Sequence, residues 1–195
     1  MSLPRLAPLD PETLAAYRER LRELVIERAL RTEGEFTLAS GKRSPFYIDG
    51  KQISLSPEGM YLFAELILDR IPPEAEAIGG LTLGADPIVG AVVALSHLRG
   101  RPLIGFIVRK EPKAHGTRRS IEGPLPEGAR VVIVEDVITT AGSALKAMDR
   151  AAEEAGASVA KVIALVDRQE GGRENLAARG AALDAIFTRQ DLGVA

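Results

Sequence analysis

The 195-residue chain has no cysteine and no tryptophan. Without cysteine there is no disulfide framework, no thiol nucleophile and no cysteine-ligated zinc or iron–sulfur centre, and a reducing compartment is the natural expectation. No apolar run approaches the roughly 20 residues that span a bilayer. The opening MSLPRLAPLDPE also lacks the apolar core of a secretion signal. The expected location is therefore the cytoplasm. A basic excess is missing too: 25 Lys and Arg stand against 27 Asp and Glu, a formal charge of −2, which argues against a surface built to neutralise a nucleic-acid backbone. Lysine itself is scarce, with six residues against 19 arginines, and two of the six, Lys110 and Lys113, fall within four positions of each other.

What remains is an ordinary globular composition, 46% hydrophobic and 27% charged. A chain of this length buries roughly 70% of its unfolded surface in one core, so residues 1–195 are expected to form a single domain. No repeat, low-complexity tract or linker interrupts it. Asp10-Pro11 signals a helix start, and apolar spacing from Leu14 predicts a helix ending by Gly34. The turn-rich stretch from Phe36 to Asp49 predicts two short strands joined by a loop. Ser56-Pro57-Glu58 predicts the cap of a second helix, ending before Pro72. Strands are then predicted at 77–80, 103–108, 130–135, 161–166 and 185–187, with helices at 86–98 and 141–155. Strands apolar on both faces, such as Val131-Val132-Ile133-Val134, separated by helices, predict a doubly wound α/β fold with a mainly parallel sheet flanked by helices. About 20 residues from Arg109 to Ala129 show no period, far beyond the usual ~2–6 of an α/β connection, and so read as a binding loop or lid.

Two stretches carry candidate chemistry. In Val131 to Ser143 a buried strand delivers Glu135 and Asp136 near its C-terminal end, where open α/β sheets bind ligands, and a hydroxyl-rich loop then opens a helix. Backbone N–H groups at residues 140–143, with the hydroxyls of Thr139, Thr140 and Ser143, suit a phosphate. The carboxylates suit hydroxyls or a divalent cation at the ligand's other end, so a sugar phosphate fits the spacing. A strand end followed by an ordinary helix cap is the alternative and stays open on pattern alone. No Walker-type or dinucleotide-binding glycine motif competes; Gly41-Lys42 is followed by Arg43. The second stretch, Arg109 to Arg119, holds five permanent cations and His115 against the single acid Glu111. Such a loop at a strand's C-terminal end would close over a polyanion, with His115 as a proton donor, although a merely solvated basic loop is the other reading. His97, on the helix at 86–98, lacks such company and reads as structural.

Val131 to Ser143 resembles the 5-phosphoribosyl-1-pyrophosphate (PRPP) signature of type I phosphoribosyltransferases. Arg109-Lys110-Glu111-Pro112-Lys113-Ala114-His115-Gly116 resembles the catalytic loop of the orotate-specific branch, and Phe36 to Asp49 its N-terminal hood, the region 1–50 including the first helix. Asp167-Arg168-Gln169-Glu170 is a fourth match, and the four occur in family order. The resemblance implies the type I phosphoribosyltransferase fold and transfer of ribose 5-phosphate from PRPP to N1 of orotate, giving orotidine 5′-monophosphate and pyrophosphate. It implies PRPP binding by Arg109, Lys110, Lys113, His115, Glu135, Asp136, Thr139, Thr140, Ala141, Gly142 and Ser143, with Lys113, His115 and Asp136 catalytic. Orotate would meet Phe46, Tyr47, Ile48, Thr139 and Arg168, and Leu81 to Pro87 would form the pyrophosphate loop. Mg²⁺ would arrive with PRPP, near Glu135 and Asp136, with no direct protein ligand. A homodimer is also implied, in which loop 109–119 completes the neighbouring subunit's site; nucleic acid and membrane are not expected partners. Where some bacterial relatives carry lysine, this chain has Ala39 and Gly84, and Glu135 replaces the commoner aspartate. Two rivals are a type I phosphoribosyltransferase for another base, against which the hood speaks, and a PRPP- or nucleotide-sensing regulator on the same fold, against which Lys113 and His115 speak.

Overall fold

A computed structural model describes residues 5–37, 43–111 and 119–194. Asp10 opens the first helix, α1 (Pro11–Leu24), as the pattern predicts: its Oδ1 accepts from the Thr13 amide at 2.8 Å and Pro11 occupies the first turn. The expected helix to Gly34 stops early. A π-helical stretch, Val25–Ala29, follows, and Leu30–Arg31 is already a strand, β1.

The hood is more divided than two strands. β2 (Phe36–Thr37) pairs antiparallel with β3 (Arg43–Ser44), while β4 (Tyr47–Ile48) pairs with β1. This second pairing is why the helix ends where it does, since Leu30 and Arg31 give their backbone groups to Ile48 and Tyr47. The short helix α2 (Lys51–Ser54) comes next, then α3 (Pro57–Arg70). Ser56 does not cap α3 through its side chain as expected; its hydroxyl donates instead to the Ile53 carbonyl at 3.0 Å.

Beyond Pro73 the chain winds β5 (Ala77–Leu81), α4 (Asp86–Leu98), β6 (Ile104–Val108), β7 (Ile121–Glu122), β8 (Arg130–Ile138), α5 (Gly142–Ala155), β9 (Ser158–Asp167), α6 (Gly172–Ala177) and β10 (Leu183–Thr188). The sheet order is β10-β9-β8-β5-β6-β7, parallel throughout except for β7 at one edge. Alternation along β8 splits the core into two layers. Val132 and Val134 pack with Phe63, Leu66, Ile88 and Val92 of α3 and α4, whereas Val131 and Ile133 pack with Ala144, Ala147 and Met148 of α5. No helix among the described residues is long and apolar enough to cross a membrane.

Two departures from the expected strands bear on function. β8 continues past Glu135 to Ile138, held by parallel pairing of Val137 with Val166 and Ile138 with Asp167, so both carboxylates lie inside the strand rather than at its end. The aperiodic stretch 109–129 is not wholly without structure: β7 returns along β6, and the Arg109 amide donates to the Ser120 carbonyl at 2.8 Å. A two-residue strand is too short to show a period. Lys113, His115 and Ala39 lie outside the described residues.

Chain order reverses direction beside β5, which is followed by β6 on one side and has β8 on the other. The crevice at the C-terminal ends of β5 and β8 is therefore the topological switch point. Close approach there depends on Gly80, where a Cβ would stand 2.4 Å from the Val134 carbonyl oxygen and 2.6 Å from Ala85 Cβ. Because the first obstacle is backbone, it cannot swing aside. Gly80→Ala is expected to cost about 1–3 kcal/mol, measured as a lower urea midpoint with an unchanged slope.

Candidate active site

Glu135 and Asp136 are carried into the switch-point crevice by β8 and are 5% and 8% exposed, respectively. Two adjacent acids in a strand point to opposite faces in the ideal pleat. Here the turn after β5 draws both toward it: a Cβ on Gly84 would meet Asp136 Oδ1 at 2.9 Å and Glu135 Oε2 at 3.4 Å. The position at which some relatives have lysine is thus one where this chain brings backbone close to the carboxylates. In the same turn Thr82 Oγ1 donates to Asp86 Oδ2 at 2.8 Å, and the Thr82–Leu83 peptide bond is cis.

The two acids have different surroundings. Asp136 Oδ2 accepts from Lys51 Nζ at 2.9 Å, and its Oδ1 accepts from the Val137 amide at 2.9 Å. Glu135 Oε1 is buried without a hydrogen-bond partner. Burial first, then the neighbouring Asp136 charge, pushes the Glu135 carboxyl up to about 8, with Lys51 pulling the other way. A buried acid with a free oxygen calls for a ligand that brings hydrogen-bond donors or positive charge.

The side expected to take a phosphate is built on the N-terminus of α5. Ala141 precedes the helix at φ 64°, a left-handed conformation, and no side chain caps the turn. The first amides of the helix are consequently free for an anion, supplemented by the helix dipole. Thr140, Gly142 and Ser143 are exposed and Thr139 is half-buried, so the four form an open rim around buried Ala141. Asn175 of α6 donates to the Thr140 carbonyl at 3.0 Å and steadies the loop.

On the hood side, Arg168 is only 2% exposed. Its guanidinium carbon lies 4.2 Å from the centre of the Phe46 ring, Nε donates to Glu170 Oε1 at 2.9 Å, and Nη2 donates to Ser44 Oγ at 3.0 Å. Gln169, at φ 56°, turns the chain so that Glu170 faces back on Arg168. Of the three hood residues expected at the base, Phe46 is buried beneath Arg168, Ile48 is buried in the core, and Tyr47 is exposed, stacked on Phe36 at 5.8 Å.

At the opposite rim, Arg109 Nε donates to Glu122 Oε1 at 2.7 Å, across the foot of the 109–119 loop. Helix α5 grips both feet. Glu154 accepts from the Ser120 amide at 2.9 Å, and Lys146 donates to the Lys110 carbonyl and lies 3.9 Å from Glu111. Lys51, Ser44, Glu154 and Lys146 were not among the residues singled out by motif. Only Lys51 left a usable signal, as one of six lysines and directly after the hood. A separate cleft of about 220 Å³ beside α3 and α4 holds the buried Arg99–Glu65 pair at 2.6 Å; these charges satisfy each other.

Comparison with known proteins bears on this geometry. Residues 95–180 match the family model described as the phosphoribosyl transferase domain. An orotate phosphoribosyltransferase of Nostoc sp. is 48% identical over 187 residues, covering 95% of this chain and 88% of the relative. That of Thermosynechococcus vestitus is 51% identical over 182 residues, covering 93% and 95%. Among solved structures, Mycobacterium tuberculosis orotate phosphoribosyltransferase in complex with PRPP superposes with a TM-score of 0.74 at 34% identity, covering 91% of this chain and 99% of that one.

The raised Glu135 sets a pH dependence of stability. Between the ordinary carboxyl value of 4.5 and about 8 the folded protein keeps a proton that the unfolded chain has lost. Stability therefore falls as pH rises through that window and levels off above it. Glu135→Gln removes the dependence. Its melting temperature is expected to exceed the parent's at pH 8.5, with the gap closing toward pH 4.5; a gap independent of pH would contradict the assignment.

Proposed function

The chain belongs to the orotate phosphoribosyltransferase family, and we propose that the crevice between β5 and β8 is where it transfers ribose 5-phosphate from PRPP to N1 of orotate. The products are orotidine 5′-monophosphate and pyrophosphate, a step of pyrimidine nucleotide synthesis. The observation that carries the site assignment is the pairing of a buried, unsatisfied Glu135 carboxylate beside Asp136 with an uncapped helix N-terminus a few residues on. One end accepts hydroxyls and the other accepts phosphate, as a ribose 5-phosphate requires.

In this reading Glu135 and Asp136 accept from the ribose hydroxyls, and residues 139–143 hold the 5-phosphate. The Asp136 charge, joined by that of Glu135 once cationic or donor groups of the ligand displace its proton, also favours the ribose as it becomes oxocarbenium-like. The bond from the anomeric carbon to pyrophosphate breaks and the bond to N1 of orotate forms, with N1 presented as an anion, so no proton has to leave at the transition state. Arg109, Lys110, Lys113 and His115 neutralise the pyrophosphate as it departs. Arg168, with Phe46, Tyr47 and Thr139, lines the base pocket, while Ile48, expected there, is buried in the core and supports the strand that carries Tyr47. Positioning and fixed charge supply the acceleration without a covalent intermediate.

We assign Mg²⁺ as the cofactor. The hard carboxylate oxygens of Glu135 and Asp136 fit it, the free Oε1 of Glu135 above all. When bound, it would offset pyrophosphate charge. The loop 109–119 reaching into a neighbouring subunit's site, in a cytoplasmic homodimer, completes the proposal; the contacts of α5 with Lys110 and Ser120 support a fixed base for it.

The activity is tested by following orotate absorbance with PRPP and Mg²⁺. Orotate consumption is expected, and consumption of uracil or a purine in its place would overturn the base assignment. For the shared site, Lys113→Ala and Asp136→Ala proteins, each lowered in turnover by orders of magnitude alone, are mixed and reassociated. Hybrids carry one intact site and should recover a measurable fraction of parental activity; no recovery from demonstrated hybrids rejects the shared site.

A further inference from the structure

Lys51 belongs to none of the motifs, yet its ammonium is the cation that meets the carboxylate pair. It donates to Asp136 Oδ2 at 2.9 Å, with the lysine side chain 41% exposed and the aspartate 11%. Asp136 Oδ1 accepts from the Val137 amide at 2.9 Å, so the carboxylate is held at both oxygens and cannot rotate without breaking a contact. The backbone carrying Lys51 is fixed just as closely. Gly50 stands so near that a Cβ there would lie 2.6 Å from Asp136 Cβ.

This contact links two parts of the fold 85 residues apart in sequence. Lys51 opens α2, three residues after hood strand β4, whereas Asp136 belongs to the central strand β8. The charged and titratable groups facing the ammonium are Asp136 from β8, Asp49 from its own turn and Tyr47 from β4; Glu135 also feels its charge. Two adjacent buried acids repel each other, and the lysine counter-charge on Asp136 opposes that repulsion and holds the side chain in place. The solvated lysine end keeps the desolvation cost below that of a fully buried pair.

We propose that Lys51 is a positioning residue for the transfer reaction, holding the Asp136 carboxylate in place and aimed at the ribose through a clamp that also seats the hood on the central strand. The proposal rests on the reading of Asp136 as a ribose-hydroxyl acceptor. Lys51 does not touch the reacting atoms in this scheme; it acts through Asp136.

The test is a double-mutant cycle with Lys51→Met, Lys51→Arg, Asp136→Asn and the Lys51→Met/Asp136→Asn pair, read as kcat and as KM for PRPP and for orotate. Lys51→Met, which keeps the length of the stem, should lower kcat/KM for PRPP on the order of 10- to 100-fold, the range seen when a partner that orients a functional ligand is lost. Lys51→Arg should recover most of it. In the Asp136→Asn background the same substitution should cost less than about twofold, because its target is gone. Should Lys51→Met not fold, Lys51→Gln takes its place in the cycle. Parental kinetics in the neutral variant, no recovery with arginine, or losses that multiply in the double variant would each overturn the proposal. Parental PRPP kinetics in Asp136→Asn alone would instead overturn the ribose role of Asp136, so the two failures are distinct.

Discussion

The constraint on which the site depends is the burial of two adjacent carboxylates at the mouth of the central strand. Acids that are 5% and 8% exposed cost free energy unless something satisfies them. Each satisfied contact is made by a different element. α2 supplies the Lys51 ammonium to Asp136, β8 supplies its own Val137 amide, and the turn after β5 brings Gly84 in against both acids. Glu135 Oε1 stays buried without a partner, and it is the place where a ligand is proposed to complete the structure. Binding and folding therefore draw on the same unsatisfied group.

Helix α5 adds a second organising link. Its N-terminus follows the carboxylate strand by only three residues and forms the phosphate rim, while Lys146 and Glu154 farther along hold the two feet of the cationic loop. Its packed face is largely alanine, Ala144, Ala147 and Ala151, which brings the helix close to the sheet. A rigid helix thus fixes the distance from the uncapped helix N-terminus, proposed to take the 5-phosphate, to the base of the loop proposed to meet the leaving group.

Much of this was legible in the sequence because it rests on local periodicity. The doubly wound sheet followed from strands apolar on both faces, and α4 lies at 86–98 as its pattern predicts. The uncapped helix N-terminus after β8 was legible for a similar reason: strand, small-residue turn and helix are contiguous. Contacts between distant segments were not. Pairing of Leu30–Arg31 with Tyr47–Ile48 ended the first helix against its own spacing, and the two-residue β7 had no period to detect. Lys51, Ser44 and Glu154 act through tertiary contacts across 85, 124 and 34 positions, respectively. The extension of β8 to Ile138 was hidden because Glu135 and Asp136 look like a polar strand end until the partner strand β9 is known.

The cations around the site fall into two electrostatic kinds, and the difference matches what each is asked to bind. Arg168, 2% exposed, is neutralised by Glu170 at 2.8 Å and backed by the Phe46 ring. Parting it from Glu170 would leave a buried charge unpaired, which is expensive. It is therefore suited to keep its partner and to offer its remaining Nη1 edge to a carbonyl oxygen of a planar base, a contact that needs direction more than net charge. Arg109 is different: it and Glu122 are 44% and 39% exposed, so water screens their attraction and an incoming anion displaces it at small cost. Pyrophosphate needs such exchangeable charge, because it must be held tightly while it leaves and then be released. In the proposed reaction burial would thus divide the work, with fixed neutral pairs orienting the base and solvated cations handling the polyanion.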